Sequence, residues 1–312
     1  SVMTTTTKTG RTTMKTRRRA VSTSLGYALP SKPNSPPENL DDYCAFIYGR
    51  KQWGKSTLAS QYPEALNFQF EPGRRGLRIM QVPSDGSKLL WEPFIEYLGL
   101  FLESDDFKVG VIDTIDRAYD LCLEHVCLRE SNGQHNHPNK FGQEGYAMWD
   151  FVKSEFEAVF QSIRDAGKIF VCVSHDKKVK QKDRDGAEWE RIEPTCKPAA
   201  WKIAQAMCDL VFHCEFIGGQ RVISVRDLDN SSLASCNPDI DCFCDPDGNT
   251  LRRFTIPNEK GSVYESLQRA FNNELRDFDY TPPSKLKEKL AAKRAAGTEK
   301  KRKFVKRLPS KN

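Results

Sequence analysis

Apolar residues in this chain come in short dense runs, separated by longer stretches with a helical rhythm. Tyr43-Cys44-Ala45-Phe46-Ile47-Tyr48 is the first dense run and predicts a buried strand. Ala65-Leu66-Asn67-Phe68-Gln69-Phe70 and Val109-Gly110-Val111-Ile112-Asp113 predict two more. Lys168-Ile169-Phe170-Val171-Cys172-Val173-Ser174 is almost continuously apolar, as a strand covered on both faces requires. Elsewhere the period changes. Trp149, Phe151, Val152, Phe156, Val159, Phe160 and Ile163 recur near helical spacing and predict a helix over 146–165. Helices are also expected over 115–129 and 262–275. Residues 209–217, the Gly218-Gly219 pair and residues 220–225 read as a β-hairpin, and 253–256 as one more strand.

Strands alternating with helices predict an α/β fold, a mostly parallel sheet flanked by helices. In such sheets ligands gather beyond the C-terminal strand ends. Gly49, Glu71, Asp113 and His175 each fall just past a predicted strand. Gly49-Arg50-Lys51-Gln52-Trp53-Gly54-Lys55-Ser56 has the spacing G-x-x-x-x-G-K-[ST], with Thr57-Leu58-Ala59-Ser60-Gln61 after it as a helix-like start. Strand, glycine loop, helix is the context this phosphate-binding motif requires. Its backbone N–H groups, through Thr57, would wrap a triphosphate. Lys55 would reach the β- and γ-phosphates, and the Ser56 hydroxyl would ligate Mg²⁺. Asp113 would complete the metal site. Glu71 would orient or deprotonate the attacking water, or else sit as a solvated carboxylate in the turn with Pro72 and Gly73. His175 stands where a side chain would sense the γ-phosphate, although a strand-end histidine is often only a satisfied turn residue.

Residues 176–191 follow directly. Asp185-Gly186 is a good two-residue turn, so a protruding hairpin is expected. Lys177, Lys178, Lys180, Lys182 and Arg184 are positioned to meet nucleic-acid phosphates, and Trp189 to stack on a base. A charged hairpin without a partner is the plainer alternative. His135-Asn136-His137 reads as loop, not as a nuclease motif, because adjacent letters supply no metal-binding fold.

Charge sharpens the picture. The net charge is +6, but residues 1–37 carry +7 and residues 285–312 carry +10, which leaves −11 for residues 38–284. An acidic body with two basic arms suits contact with nucleic acid. The expected layout is a disordered basic arm over 1–38, one folded domain over 39–280 with an insertion near 230–250, and a basic tail over 281–312. No apolar run is long enough to span a bilayer, and the first residues lack a signal-peptide core. A cytoplasmic protein with reduced thiols is therefore expected. A zinc site on Cys236, Cys242 and Cys244 is the weaker reading of that cluster, since its spacing matches no C-x-x-C pair.

Taken together these motifs resemble the phage-type RecA-like P-loop ATPases, AAA-type proteins that include phage single-strand annealing recombinases related to RecA. The resemblance spans roughly residues 42–225. It rests on the glycine loop, on Phe68-Gln69-Phe70-Glu71-Pro72-Gly73, on Val111-Ile112-Asp113-Thr114, on Phe141-Gly142-Gln143-Glu144-Gly145-Tyr146 and on Val171-Cys172-Val173-Ser174-His175. It implies a RecA-like core, Mg-ATP, ring or filament assembly, and binding to single-stranded DNA. It further implies Glu71 as the water-activating acid, Asp113 as the metal residue, His175 as the sensor, and the following hairpin as the DNA-contacting element. Gln52 stands where relatives often have glycine. Trp53 is unusual there and would touch the base or a neighbour. Lys197, Lys202 and Arg226 are candidates for a trans-acting finger. The reading that results is a DNA-stimulated ATPase of phage recombination or replication, active in the host cytoplasm. Its alternatives are a scaffolding protein that uses ATP as an assembly switch, and a helicase or packaging motor.

Overall fold

The computed structural model describes residues 29–30, 32–72, 76–182, 186, 188–227, 231–236, 242–257 and 263–278. The chain divides into two units, Ser1–Pro37 and Glu38–Asn312, and every element below belongs to the second. Most of the expected basic arm and tail, and the hairpin tip with Arg184, lie outside the described residues.

Six strands form the parallel part of the sheet: β1 (Ala45–Gly49), β2 (Ala65–Gln69), β3 (Gln81–Val82), β4 (Val109–Asp113), β5 (Ile169–Lys182) and, after the short β6 (Glu188–Pro194), β7 (Leu210–Ile217). The strands β8 (Gln220–Ser224), β9 (Ser235–Cys236) and β10 (Arg253–Ile256) add antiparallel partners beyond β7. The order is β10-β8-β7-β1-β5-β4-β2-β3, with β6 on β5 and β9 on β7. The helices are α1 (Lys55–Ser60), α2 (Trp91–Glu103), α3 (Ile115–Glu130), α4 (Gly145–Asp165), α5 (Pro198–Met207) and α6 (Val263–Phe271).

Strand parity explains how the sheet acquires two cores. Phe46, Tyr48, Ile112, Phe170, Cys172 and Val211 join the core under α2, α3, α4 and α5. Their chain neighbours Ala45, Ile47, Val111, Val171, Val173, Leu210 and Phe212 join the core under α1 and α6. The central strands are buried on both sides, which is why they read as unbroken apolar runs.

The pattern did not predict α2 or α5. In α2, Trp91, Phe94, Leu98 and Phe101 are buried, but exposed Ile95 and Leu100 blur the stripe. In α5 the buried residues include only Ala200, Ile203 and Ala204, a weak signal. The strand expected to end at Ser174 runs on to Lys182, so one strand serves both sheet and hairpin. The last helix ends at Phe271, short of 275. A cavity of about 750 Å³ between β3 and α2, lined by Leu66, Met80, Tyr97 and Leu100 among others, shares no residue with the glycine loop. Among the described residues no helix is long and apolar enough to cross a membrane.

Candidate nucleotide site

β1 lies between β5 and β7, with Gly49 in register with His175 on one side and Cys214 on the other. Gly49 has φ +147°, and a Cβ there would lie 2.0 Å from the Cys214 carbonyl oxygen. The same carbonyl accepts the Arg50 N–H at 3.0 Å. No side chain larger than hydrogen fits while β1 and β7 stay paired. Gly54, at φ +106°, forms the N-cap of α1. Gln52 takes φ +63°, a conformation that favours glycine, at the position where relatives often carry one. Trp53 is 1% exposed, and its indole N–H donates to the Glu215 carbonyl at 2.8 Å. It therefore pins the loop to β7; the sequence reading that it meets a base or a neighbour does not fit this burial.

Lys55 is also buried. Its ammonium donates to the carbonyls of Gly49 at 2.7 Å and Arg50 at 2.9 Å, and lies 3.5 Å from His175 Nδ1. The charge is thus held inside the bend, facing the end of β5. Burial, and then the Lys55 charge, hold the His175 imidazole below its ordinary value, so it is neutral near pH 7. Glu71 and Asp116 oppose this shift electrostatically and Lys51 adds to it, each more weakly than burial and Lys55.

Asp113 closes β4 on the same face as Val109 and Val111, the α1 side, where Ser56 sits. Both are buried. A carboxylate and a hydroxyl are hard oxygen donors, so this pair fits Mg²⁺. Glu71 lies two residues past β2, and its carboxylate accepts the Thr114 hydroxyl at 2.9 Å. Thr114 also caps α3, accepting the Arg117 N–H at 3.4 Å. The sequence reading missed Thr114, although a threonine before a helix is an N-cap signal. It also missed the contact of the Thr195 hydroxyl with Asp116. The structure thus brings the glycine loop, Glu71, Asp113 and His175 to one sheet edge.

The expected hairpin is present as β5 and β6, paired antiparallel from Asp176–Pro194 to Lys182–Glu188. Two of its lysines face glutamates. Lys178 meets Glu190 at 3.2 Å, Lys182 meets Glu188 at 3.0 Å, and Arg191 lies over the Trp189 ring at 5.7 Å. Residues 176–194 hold six basic and six acidic side chains. Lys177 and Lys180 are exposed. The other sheet face holds a different polar group. Buried His213 stacks on Tyr48 at 4.9 Å, with its Nε2 3.9 Å from Asp176 and its Nδ1 3.7 Å from Glu215.

Among the described residues no group of three or more His, Cys, Asp or Glu side chains is placed to hold a metal, so the zinc reading of Cys236, Cys242 and Cys244 has no geometric support. Arg226 donates to the carbonyls of Phe243, Leu251 and Cys242, which commits it to its own fold rather than to a neighbour's nucleotide. Lys197 pairs with Asp120 at 2.9 Å, while Lys202 is exposed. His135 and His137 pack on Phe141 and Trp149, in keeping with a structural loop.

A family model described as an AAA domain matches residues 41–231. Among solved structures the chain is similar to a KaiC-like protein of the hyperthermophilic archaeon Pyrococcus horikoshii OT3. Identity is 13%, coverage 61% of this chain and 80% of that one, and the TM-score 0.36. No curated protein matches. The family match covers more than half of the sequence and takes in the glycine loop, Glu71, Asp113, His175 and the hairpin. The chain belongs to this AAA domain family, whose core is a P-loop nucleotide-binding ATPase.

Proposed function

We propose that the chain binds Mg-ATP in the bend 49–56, hydrolyses it, and uses the cycle to alter its grip on single-stranded DNA, as a phage-type RecA-like recombination or replication protein. The observation that carries the ATPase reading is the meeting of Lys55, His175, Glu71 and Asp113 at one strand edge, with Glu71 held by Thr114. Phosphoryl transfer to water needs phosphate positioning, charge neutralisation and an oriented water. The loop N–H groups and Lys55 supply the first. Ser56 and Asp113 would hold Mg²⁺, which would supply charge neutralisation on the phosphate oxygens. Glu71, fixed by the Thr114 hydroxyl, orients the water and takes its proton. Neutral His175, its Nδ1 facing the Lys55 ammonium, donates its remaining N–H to a γ-phosphate oxygen without adding charge.

The DNA reading is supported by continuity. β5 passes from His175 straight into the hairpin, and the Thr195 N–H closes its root on the His175 carbonyl at 2.9 Å. A shift of His175 with nucleotide state would move that root. The basic arms add phosphate affinity, and assembly into a ring or filament would multiply it. The charge balance of the hairpin favours a second reading, an ATP-dependent assembly switch whose hairpin meets protein rather than DNA.

The test is steady-state ATP turnover by wild type and Lys55→Ala, with and without single-stranded DNA, across a salt titration. Turnover lost in Lys55→Ala with the fold kept, and stimulation by DNA that fades steeply with salt, is the expected result. Equal turnover in Lys55→Ala refutes the site. A rate indifferent to DNA at low salt, with nucleotide retained, selects the assembly switch.

A further inference from the structure

Two strands overhang the end of β1. One is β5; the other is β7, which continues past the Gly49–Cys214 pair through Glu215, Phe216 and Ile217 before turning into β8. This second overhang brings Arg221 back toward the glycine loop. Arg221 faces Phe216 in register, and parity puts both on the α1 side with Cys214 and Ile223. The Arg221 guanidinium lies 5.9 Å over the Trp53 ring and donates to the Pro257 carbonyl. One of its nitrogens, Nη1, stands 3.6 Å from the point where a Gly54 Cβ would be. A guanidinium is thus held against the bend by a packed aromatic and a backbone carbonyl, and it is only half-buried.

We infer that Arg221 is a nucleotide ligand, a cation that β8 contributes to the α- and β-phosphates of a bound nucleoside di- or triphosphate. The inference rests on the proposed ATP site and deepens it. The sheet order decides which end of the nucleotide it meets. Glu71, Asp113 and His175 follow β2, β4 or lie in β5, all on one side of β1, whereas Arg221 arrives from β8 on the other. The γ-phosphate belongs with the acids, so Arg221 serves the nucleoside side. Arg50, over the Phe216 ring at 6.0 Å, adds charge on the same flank. The planar fork of arginine suits phosphate oxygens, and holding it on Trp53 reduces the ordering cost of binding.

The experiment measures binding of methylanthraniloyl-ADP and ATP turnover for wild type, Arg221→Ala and Arg221→Gln, with melting of each protein free of nucleotide. The glutamine variant keeps an amide donor for Pro257 and removes the charge, so it serves if the alanine variant unfolds. A charge-assisted hydrogen bond predicts a Kd for ADP raised about 10- to 100-fold. The kcat at saturating ATP should stay within about twofold, because the lost contact serves ground and transition state alike. An unchanged Kd for ADP in Arg221→Gln overturns the inference and leaves the site intact. A fall in kcat at unchanged Kd overturns it too, by moving Arg221 to the γ-phosphate. If wild type itself binds no ADP, the reading of the whole site falls first.

Discussion

Gly49→Ala tests the close approach that forms the phosphate bend. The new methyl would lie 2.0 Å from the oxygen, 2.7 Å from the carbon and 2.8 Å from the nitrogen of Cys214, all backbone atoms of a paired strand. No rotamer change can relieve that contact. Holding a non-glycine residue at φ +147° costs about 1–3 kcal/mol. Forcing the strands apart adds about 1–3 kcal/mol of overpacking. The sum, about 2–6 kcal/mol, is a large share of the ~5–15 kcal/mol that holds a domain folded. At roughly 2–4 °C per kcal/mol it lowers Tm by roughly 4–24 °C. Gly99→Ala is the control of opposite sign. It lies in α2 with nothing within 4 Å of an added Cβ, and should stabilise by about 0.5–1 kcal/mol. Urea denaturation of both variants, followed by far-UV circular dichroism, reads both effects. A Gly49→Ala protein within about 0.5 kcal/mol of wild type, the usual scatter of a surface change, would show that β1 and β7 do not meet in this way.

Three further outcomes are expected. Thr114→Val removes the hydroxyl that serves both Glu71 and α3; it should cost about 0.5–2 kcal/mol in denaturation and slow single-turnover hydrolysis about tenfold or more, with ADP affinity kept. His175 should titrate below 6.5 by NMR. Because the fold resists its protonation, its contribution to stability is complete above 6.5 and is lost as pH falls through the folded value; a midpoint at or above 6.5 would contradict the burial and the Lys55 contact. Replacing Glu188 and Glu190 with Gln should change stability by no more than about 1 kcal/mol per pair, since both ion pairs are exposed. The same change should steepen the salt dependence of single-stranded DNA binding, and an unaltered slope would remove the hairpin from the DNA interface.

Much of the site was legible in order along the chain. The glycine loop, the strand ending on Asp113 and the run ending before His175 announce themselves because a doubly covered parallel strand must be apolar throughout and its end must turn. The α2 helix is not legible because Ile95 and Leu100 break its stripe, and α5 is not because alanines carry little periodic signal. Trp53 looked available for a ligand, yet its indole is buried on the Glu215 carbonyl. The lysines of 177–182 looked like a bare basic limb, but the facing strand answers Lys178 and Lys182 with glutamates.

Sequence by itself determined the fold class and the identity of the phosphate loop, since local backbone demands and apolar periodicity act over a few neighbouring residues. Tertiary structure alone decided what meets that loop. Strand order placed the acids on one flank of β1 and Arg221 on the other, and the register of β7 made Gly49 irreplaceable. The pairings of β1 with β5 and with β7 join residues more than a hundred positions apart, and no local pattern encodes which strand lies beside which.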